Sequence, residues 1–446
     1  MSATPWGGRR LHFIGIGGAG MSGLALVAGQ LGAEVTGSDR AESPYLEPLR
    51  AAGLEPAIGH DAANLTAGAE VVVSTAIAED NPELAAAREG GAQVLHRGDL
   101  LAEISRLKPC VAIAGTHGKT TTACMTAHAL LGTGREPSYL IGGELRTTGR
   151  NAAWGGGGWL VVEADESDRS FLKLAPDVAV VTSVELDHHS TYRSPIEIEG
   201  AFEEFAGAAG STVAWAGARL RGASATYGIE EGDVAAVDVE LGAGGSRFTA
   251  LGVDVRLEVP GRHNVLNALA ALMACRAAGV DPAEAAAALA GFPGAKRRFE
   301  RRGALPSGAV VYDDYAHHPT EVRATLEAAR TLGARRVIAC FQPHLYSRTR
   351  LLAREFGRAL ALADAACVLD VYPARERAED HPGVSGWLVA AATADASRGR
   401  PVYWTRDMDD AERLLAAELR AGDVLLTLGA GDVDRLAERL VEGRPS

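Results

Sequence analysis

The stretch Cys110–Thr122, CVAIAGTHGKTTT, decides the fold. Its first five residues are apolar and predict a buried β-strand over Cys110–Ala114. The GTHGKTT turn at 115–121 then opens an apolar segment that predicts a helix to about Leu131. A buried strand, a glycine-bearing turn and a helix in this order are typical of parallel α/β sheets.

The turn between this strand and helix carries the residue types that hold a phosphate chain. Successive backbone N–H groups and the helix N-terminus favour an anion, and Lys119 adds a charge for the β- and γ-phosphates. The Thr120 hydroxyl is placed to bind Mg²⁺. The spacing GxxxxGK would need a glycine where the chain has Ile113, so this is a shortened phosphate loop. The weaker alternative is a glycine-rich helix cap. The predicted ATP-binding residues of the loop are Gly115, Thr116, His117, Gly118, Lys119, Thr120 and Thr121.

Other apolar runs follow the same strand-then-helix pattern along the whole chain. They are Leu11–Ile16, Glu34–Ser38, Glu70–Ser74, Trp159–Val162, Val178–Val184, Ala309–Tyr312, Arg336–Phe341, Ala366–Val371, Pro401–Thr405 and Asp423–Leu428. This alternation predicts an α/β protein with doubly wound parallel sheets. Ligands of such sheets bind at the carboxyl ends of the strands, and the polar clusters described below lie at predicted strand ends. The four glycines at 155–158 predict a tight surface hairpin.

Length and composition limit the class of protein. At roughly 150 residues per domain, the 446 residues favour three domains. Breaks at Lys108-Pro109 and in the basic stretch Gly291–Gly303 predict domains over 1–108, 109–301 and 302–446. With 47% hydrophobic and 23% charged residues, the chain has ordinary globular composition.

Charge and cysteine usage exclude several functions. A net charge of −13 argues against non-specific binding of nucleic acid. The five cysteines form no CxxC pair, which favours reduced thiols over a zinc or disulfide framework. No secretory leader and no run of 18 apolar residues is expected. The sequence therefore predicts a soluble, cytoplasmic protein without membrane insertion.

Two acidic clusters follow strands that we expect beside the phosphate loop. EADESD, Glu163–Asp168, ends one strand, and Glu163 is the best candidate for a ligand of Mg²⁺. The alternative is a solvated acidic turn. ELDHH, Glu185–His189, follows the next strand, and one of its histidines could join the metal or the phosphate. Taken alone, this pair is better explained as surface histidines.

A second phosphate-type turn lies near the start of the chain. Gly15-x-Gly17-x-x-Gly20, with Asp39 nineteen residues later, matches the dinucleotide fingerprint. The motif alone is weak, because the same turn can hold any diphosphate. If the loop at 115–121 binds ATP, this turn is free for a second ligand that carries a diphosphate.

Polar clusters in the second half of the chain leave alternatives open. GRHNVLNA, residues 261–268, could read a base edge or cap a helix, and Arg297 and Arg298 could reach a γ-phosphate or lie on a solvated linker. DDYAHH, residues 313–318, could bind a ribose or a metal, or cap a helix. QPHLYSR, residues 342–348, could present a guanidinium to a carboxylate.

The motifs taken together resemble one known family. GIGGAGMSGLA (15–25), GTHGKTTT (115–122), EADESD (163–168), DHHSTY (187–192), GRHNVLNALAA (261–271), DDYAHHPTE (313–321), FQPHLYSRT (341–349), DVYPARE (370–376) and GAGD (429–432) occur in this order. They resemble the Mur ligases over nearly the whole chain. The resemblance implies an N-terminal Rossmann-like UDP-binding domain, a central ATPase domain and a C-terminal Rossmann-like domain that contributes the amino-acid site.

The resemblance also implies a reaction. Within the family the chain looks like the enzyme that joins L-alanine to the lactyl carboxylate of UDP-N-acetylmuramate through an acyl phosphate. This ATP-dependent ligase reaction belongs to peptidoglycan precursor synthesis, and so to cell-wall biogenesis, cell shape and cell division. The implied cofactors are ATP and Mg²⁺, for which Mn²⁺ can substitute, and the protein is expected to be a monomer or homodimer. The alternatives are a recycling ligase that adds a tripeptide to the same UDP-sugar and a nicotinamide-dependent oxidoreductase.

Residue roles carry over position by position as implications of the resemblance. Catalytic roles fall to Lys119, Glu163, His188 and Arg298, and the implied metal ligands are Thr120, Glu163 and His188. Asn264 would contact adenine, Asp313 the ribose and Arg298 the phosphate end of ATP. The implied UDP-sugar residues are Gly15, Gly17, Gly18, Ala19, Gly20, Met21, Ser22, Asp39, Ser74 and His96. His317, His344 and Arg348 would face the amino acid, with Arg350 as the competing guanidinium.

Four positions depart from the pattern that the family predicts. Ser183 stands where Asn is frequent, Ser190 where Asp is frequent, and Leu345 where many members have Arg. The segment 214–218, AWAGA, lacks an expected Asn-x-Asp-Asp. Carboxylate recognition is therefore expected to depend more heavily on Arg348.

Overall fold

The computed structural model describes residues 5–442. Two compact units are present: one extends to Val237 and includes Thr249–Val255 and Leu266–Phe292. The other comprises Asp238–Phe248, Arg256–Val265 and the chain from Pro293 onward. Within 5–442, no helix is both long enough and apolar enough to cross a membrane.

A five-stranded parallel sheet is formed first along the chain. Its elements are β1 (Arg10–Ile14), α1 (Ala19–Gln30), β2 (Glu34–Asp39), α2 (Leu46–Ala51), β3 (Ala57–Ile58), β4 (Glu70–Val73), α3 (Pro82–Glu89), β5 (Val94–His96) and α4 (Arg97–Ser105). The strand order is β3-β2-β1-β4-β5. The order in which strands are added reverses beside β1, since β2 and β3 lie on one side of it and β4 and β5 on the other. A doubly wound sheet opens a crevice for a ligand at this point. The first glycine turn directly follows β1.

A ten-stranded sheet comes next. Its elements are β6 (Cys110–Ala114), α5 (Lys119–Gly132), β7 (Ser138–Leu145), β8 (Arg150–Ala153), β9 (Leu160–Glu163), β10 (Val178–Val181), α6 (Pro195–Gly207), β11 (Ser211–Trp215), β12 (Ala225–Ile229), β13 (Val234–Gly242), β14 (Gly245–Ala250), β15 (Val253–Leu257), α7 (Arg262–Ala277) and α8 (Pro282–Leu289). The strand order is β15-β14-β13-β12-β11-β10-β6-β9-β7-β8. Strand β6, which leads into the phosphate loop, is fully buried between β9 and β10.

The predicted hairpin at Gly155–Gly158 is wrong. The antiparallel hairpin is formed by β7 and β8, which pair around the turn between Leu145 and Arg150. Residues 155–158 instead connect β8 to β9, and β9 pairs in parallel with β6 and β7. Lys108 holds this connection, because its Nζ donates to the carbonyl oxygens of Gly155 at 2.6 Å and Gly157 at 2.8 Å.

The third sheet has six strands in the order β16-β17-β21-β18-β19-β20. Its elements are β16 (Glu300–Ala304), β17 (Val310–Asp314), α9 (Pro319–Arg330), β18 (Arg336–Phe341), α10 (Tyr346–Leu360), β19 (Ala365–Val368), α11 (Gly386–Ala396), β20 (Val402–Trp404), α12 (Met408–Glu418), β21 (Asp423–Leu428) and α13 (Asp434–Glu442). Strand β16 is antiparallel to β17, and the other described pairings of this sheet are parallel. The three sheets confirm the predicted three-domain α/β fold, while the domain boundaries stay a prediction.

A buried carboxylate fixes the loop that follows β3. Glu83 is fully buried, and its Oε2 accepts from the Ser38 hydroxyl at 2.6 Å and lies 3.1 Å from His12 Nε2. Its Oε1 accepts from Asn64 Nδ2 at 2.7 Å and from the Asp61 backbone N–H at 3.1 Å. Burial alone raises the pKa of Glu83, but these hydrogen bonds outweigh burial and lower it to about 2. The carboxylate is therefore ionised and satisfied inside the first sheet.

Candidate active site

The backbone of the phosphate loop is shaped by two residues that follow β10. Gly115 has φ +140°, and a Cβ there would lie 2.1 Å from Thr182 Oγ1, so this position requires glycine. The Thr182 hydroxyl donates to the His117 carbonyl oxygen at 2.5 Å, and Ser183 Oγ accepts from the His117 backbone N–H at 2.9 Å. The strand predicted to reach 184 ends at Val181, because after the Thr182 N–H, which still donates to the Ala114 carbonyl oxygen of β6 at 3.0 Å, the chain turns to hold the loop.

The other side of the loop contacts α7. Gly118 has φ +82°, and a Cβ there would lie 2.6 Å from the side-chain oxygen of Asn267. The same oxygen accepts from the Thr122 hydroxyl at 3.3 Å. Sequence reasoning had assigned a role to Asn264 in this motif and missed Asn267. The second asparagine of GRHNVLNA, three residues after Asn264, is the feature of the sequence that could have indicated this role.

A buried carboxylate holds the loop lysine. Glu166 is fully buried, and its two oxygens lie 3.0 and 2.8 Å from Lys119 Nζ. Burial lowers the pKa of Lys119, but the nearby acids, first of all Glu166, raise it above its ordinary value. His188, which has φ +51°, places its Nε2 3.2 Å from Glu166 Oε1. Glu166 thus joins two predicted catalytic residues and was itself missed, although it lies in the quoted EADESD motif.

Oxygen ligands suited to a hard cation meet beside the helix that follows the loop. The Thr120 hydroxyl donates to Glu163 Oε1 at 3.0 Å, and Glu163 Oε2 accepts from the Gly142 backbone N–H at 2.8 Å. Hydroxyl and carboxylate oxygens are the ligands that Mg²⁺ prefers, so this pair fits the implied metal. The structure brings Thr120 and Glu163 together and places His188, the third predicted ligand, on Glu166 instead.

The first glycine turn and the start of α1 are held by side chains from the ends of other strands, Asp39 of β2 and Asn151 of β8. Asp39 accepts from the Gly17 backbone N–H at 2.8 Å. Asn151 donates to the Ala19 carbonyl oxygen at 2.6 Å and to the Ser22 hydroxyl at 3.2 Å. Gly15 and Gly18 lie in the same turn, Gly20 is in the first turn of α1, and Met21 is buried in α1. The turn is therefore rigidly placed at the start of α1.

Two further predicted UDP-sugar residues have local structural partners. His96 caps α4, since its Nδ1 accepts from the Gly98 backbone N–H at 3.1 Å, and burial lowers its pKa. Ser74 follows β4, and its hydroxyl accepts from the Ala76 backbone N–H at 3.4 Å. The ligand role of both residues stays a prediction.

In the other compact unit, a charged cluster joins β17 to the turn after β21. Arg297 donates to Asp313 at 2.8 Å and to the carbonyl oxygens of Gly429 and Gly431. Asp313 is fully buried and also accepts from the Thr427 hydroxyl at 2.8 Å. Arg297 is therefore a structural ion-pair partner rather than part of a solvated linker.

The other residues predicted near ATP lie in the same unit. Arg298 lies over the ring of Tyr315, 5.3 Å from its centroid, and its Nη1 is 3.7 Å from Glu321. Asn264 is in the first turn of α7 and donates to the Pro260 carbonyl oxygen at 2.8 Å. These contacts leave the predicted nucleotide roles of Arg298, Asn264 and Asp313 as proposals.

The three predicted amino-acid residues are brought together. The rings of His317 and His344 are 6.1 Å apart, and Arg348 Nη1 lies 3.4 Å from His344 Nδ1. His344 also stacks on Tyr372 at 5.8 Å. Burial, with the positive charge of the neighbouring residues, lowers the pKa of His344 to about 3, so it is neutral at pH 7. Arg348 is buried, whereas Arg350 is exposed, which favours Arg348 as the guanidinium of the cluster.

Family models match each part of this chain in turn. The "Mur ligase family, catalytic domain" model matches residues 10–109, the "Mur ligase middle domain" model 113–275, and the "Mur ligase, glutamate ligase domain" model 297–431. The chain therefore belongs to the Mur ligase family, and the predicted resemblance is confirmed.

Similar proteins within that family carry a more specific name. The UDP-N-acetylmuramate–L-alanine ligase of Streptomyces coelicolor is 49% identical over 97% of each chain. That of Chlorobaculum tepidum is 43% identical over 97% of this chain and 94% of its own. The crystal structure of the Thermotoga maritima UDP-N-acetylmuramate–alanine ligase has a TM-score of 0.85 at 30% identity, covering 97% of this chain and 98% of its own.

A murein peptide ligase is a more distant structural neighbour. The Psychrobacter arcticus enzyme has a TM-score of 0.73 at 26% identity and covers 98% of both chains. The recycling alternative therefore has less support than the alanine ligase. The oxidoreductase alternative has no support from these similar proteins, because each of them is a ligase.

Proposed function

We propose that this protein joins L-alanine to the lactyl carboxylate of UDP-N-acetylmuramate, with ATP and Mg²⁺, in peptidoglycan precursor synthesis. The observation that carries the proposal is the full-length similarity to ligases of this name, combined with a phosphate loop whose lysine is held by buried Glu166. The phosphate loop at 115–121 and the first glycine turn are two separate turns that could each bind a phosphate group, as two phosphate-bearing substrates require.

The chemistry explains why ATP is needed. A carboxylate does not accept an amine at neutral pH, because oxide would have to leave. Transfer of the γ-phosphoryl group to the lactyl carboxylate gives an acyl phosphate and ADP. The amine of L-alanine then attacks the acyl carbon, the amide forms, and inorganic phosphate leaves. The protein must neutralise the triphosphate and align the attacking oxygen.

Residues at the ends of β6 and β9 would serve the first of these tasks. Lys119 would bind the β- and γ-phosphates, while Thr120 and Glu163 would hold Mg²⁺, for which Mn²⁺ is a substitute. When bound, the metal supplies positive charge to the phosphate oxygens. His188, fixed on Glu166, would face the transferring group. Arg298, Asn264 and Asp313 are proposed for the remainder of ATP.

The amino acid would bind at the cluster of His317, His344 and Arg348. A buried guanidinium makes a charge-assisted hydrogen bond to a carboxylate, and the neutral His344 does not repel the adjacent guanidinium. The first glycine turn, with Asp39, is proposed for the UDP moiety. The proposed substrates include nucleotides, and no helix within residues 5–442 could span a membrane. The protein is proposed to act in the cytoplasm. Its proposed oligomeric state is a monomer or a homodimer.

Phosphate release tests the proposal directly. Purified protein is given UDP-N-acetylmuramate, ATP and Mg²⁺, and each amino acid is added in turn. We expect release to depend on L-alanine and on the UDP-sugar. Release with an L-alanyl tripeptide but not with L-alanine would identify the recycling ligase instead, and no release under any of these conditions would refute the ligase proposal.

A further inference from the structure

The side chain of Arg97 lies between the beginning of α1, which follows the first glycine turn, and the acidic turn that follows β9. It begins α4, directly after β5, at the same carboxyl edge of the sheet as the first glycine turn. A Cβ on Gly20 would lie 3.6 Å from Arg97 Nη1, so the guanidinium faces the beginning of α1. Carboxyl ends of parallel strands meet at one edge, which explains how residues so far apart in sequence become neighbours.

The opposite side of the same guanidinium holds the acidic turn that follows β9. Arg97 Nη2 donates to Asp165 Oδ2 and to Asp168 Oδ2, both at 2.7 Å. Between these aspartates lies Glu166, which holds Lys119 of the phosphate loop. The Arg97 side chain is one-fifth exposed, so these pairs are largely shielded from water and are stronger than surface ion pairs.

The two ends of the guanidinium are used differently. Within residues 5–442, hydrogen bonds of Arg97 run from Nη2, and none is formed by Nε or Nη1. An arginine has five N–H donors in a fixed plane, so Nη1 keeps its donors directed toward the glycine turn while Nη2 stays on the aspartates.

The packing around Arg97 makes this bridge stiff. A Cβ on Gly98 would lie 2.6 Å from Ser170 Cβ, so α4 touches the segment after the acidic turn at close range. Lys173 also pairs with Asp99 at 2.6 Å across the same contact, but both side chains are about two-fifths exposed, so this pair adds little to the stiffness. A displacement of Arg97 is therefore transmitted to the acidic turn rather than absorbed by a mobile side chain.

We infer that Arg97 is a positioning residue that couples the two nucleotide sites: Nη1 binds the diphosphate of the UDP-sugar while Nη2 orients the turn that carries Glu166. The inference rests on the proposed function and adds a residue to it. Binding of the diphosphate fixes the guanidinium, which fixes Asp165 and Asp168, and so favours one position of Lys119. By linkage, ATP and the UDP-sugar then strengthen each other's binding by an equal factor.

The test compares three variants of the full chain. Arg97→Met removes the charge and both sets of donors, and Arg97→Lys keeps the charge without the two-sided geometry. Lys173→Met is the matched control, because it removes an ion pair between the same two segments and leaves Arg97 in place. Isothermal titration calorimetry measures the affinity for UDP-N-acetylmuramate and the affinity for a non-hydrolysable ATP analogue. Each affinity is measured with the ligand alone and again in the presence of the other ligand. Thermal unfolding of each variant is recorded in parallel.

We expect Arg97→Met to weaken UDP-N-acetylmuramate binding roughly ten- to 100-fold, as the loss of charge-assisted hydrogen bonds predicts, and to reduce the mutual enhancement of the two ligands. Arg97→Lys should recover the unfolding temperature but not the enhancement. Lys173→Met should retain both affinities and the enhancement.

Three results would overturn the inference. The first is a wild-type affinity for UDP-N-acetylmuramate and a wild-type enhancement in Arg97→Met. The second is an equal loss of affinity and enhancement in Arg97→Met and Lys173→Met. The third is full recovery of the enhancement by Arg97→Lys, which would indicate a merely structural ion pair. A wild-type protein that binds no UDP-N-acetylmuramate would instead contradict the proposed function. These outcomes separate failure of the coupling from failure of the activity.

Discussion

Glu166 Oε2 lies 2.8 Å from Lys119 Nζ, and the glutamate is fully buried. The ammonium also donates to the carbonyl oxygens of Gly115 at 2.5 Å and Thr116 at 3.3 Å, so it is held over its own loop. A lysine has several flexible bonds, and fixing its charge before the substrate arrives removes part of the entropy cost of binding. This pair therefore links the acidic turn to the loop at 115–121.

The first prediction concerns Lys119. Lys119→Ala should abolish phosphate release and leave UDP-sugar binding largely intact, because the first glycine turn is a separate site. It should also destabilise the fold by about 3–5 kcal/mol, since Glu166 would lose its buried partner. Phosphate release, titration calorimetry and urea unfolding measure the three effects.

A double variant separates chemistry from stability. Lys119→Ala combined with Glu166→Gln should regain stability without regaining turnover. Lys173→Ala, which removes an ammonium from a half-exposed pair, serves as the lysine control. Near-normal phosphate release by Lys119→Ala would refute the role of this lysine.

The second prediction concerns the metal. Glu163→Ala and His188→Ala should each lower turnover and shift the Mg²⁺ titration to higher concentration. Glu163 would bind the metal directly beside Thr120, and His188 is the further proposed ligand, whose imidazole lies against Glu166. His189→Ala is the matched control, one residue along the chain. An unchanged rate and an unchanged Mg²⁺ titration in either variant would remove that residue from the metal set.

The third prediction concerns the amino-acid site. Arg348→Ala should lower kcat/KM for L-alanine roughly ten- to 150-fold, which corresponds to a charge-assisted contact of about 1.5–3 kcal/mol. The upper end of the range is expected, because Leu345 offers no second guanidinium. The KM values for ATP and the UDP-sugar should change little. Steady-state kinetics with each substrate varied in turn measure this.

Arg350→Ala is the control for Arg348, since it removes an exposed guanidinium from the same helix. Loss of alanine dependence in Arg350→Ala, with wild-type kinetics in Arg348→Ala, would reverse the assignment. Equal loss for all three substrates would indicate a general defect rather than a carboxylate contact.

The fourth prediction is a pH dependence of stability. The pKa of Glu83 is lowered to about 2 in the folded state, so its stabilising effect is complete above the unfolded pKa and is lost as the pH falls toward 2. Glu83→Gln should therefore lower the free energy of unfolding at pH 7 by about 3 kcal/mol. The difference from wild type should shrink between about pH 4.5 and pH 2.

Urea unfolding at a series of pH values measures this difference. Glu79→Gln is the control, because Glu79 forms an exposed ion pair with Arg88 and should change stability little. A difference between wild type and Glu83→Gln that is constant from pH 7 to pH 3 would contradict the ionised, hydrogen-bonded carboxylate.

Local patterns predicted much of the fold and part of the site. The strand Cys110–Ala114 and the helix after it were identified because apolar residues, glycine and a helix start occur in immediate sequence. Glu166 and Asn267 were missed, since their partners Lys119 and Gly118 lie far away in the chain. No local pattern distinguishes a carboxylate that holds a lysine from one that only faces water.

Two of the differences between the predicted and the observed strands and turns have the same origin. Strand β10 is shorter than predicted because its pairing with β6 ends at the bond from the Thr182 N–H to the Ala114 carbonyl oxygen, and the side chains of Thr182 and Ser183 then hold the phosphate loop. The glycines at 155–158 are a connection rather than a hairpin because β8 pairs with β7. Turn composition signals a change of direction, but the partner of a strand is decided by packing over the whole sheet.

The support of the phosphate loop by Thr182 and Ser183 also constrains the order of folding. The hydrogen bond between His117 and Ser183 spans 66 positions, and β6 lies between two strands that both follow it in the chain. Contacts of such long range are slow to form, because a large loop must close before they contribute. The loop at 115–121 is therefore expected to acquire its final shape late during synthesis, after the segment through Ser183 has been made and β9 has entered beside β6.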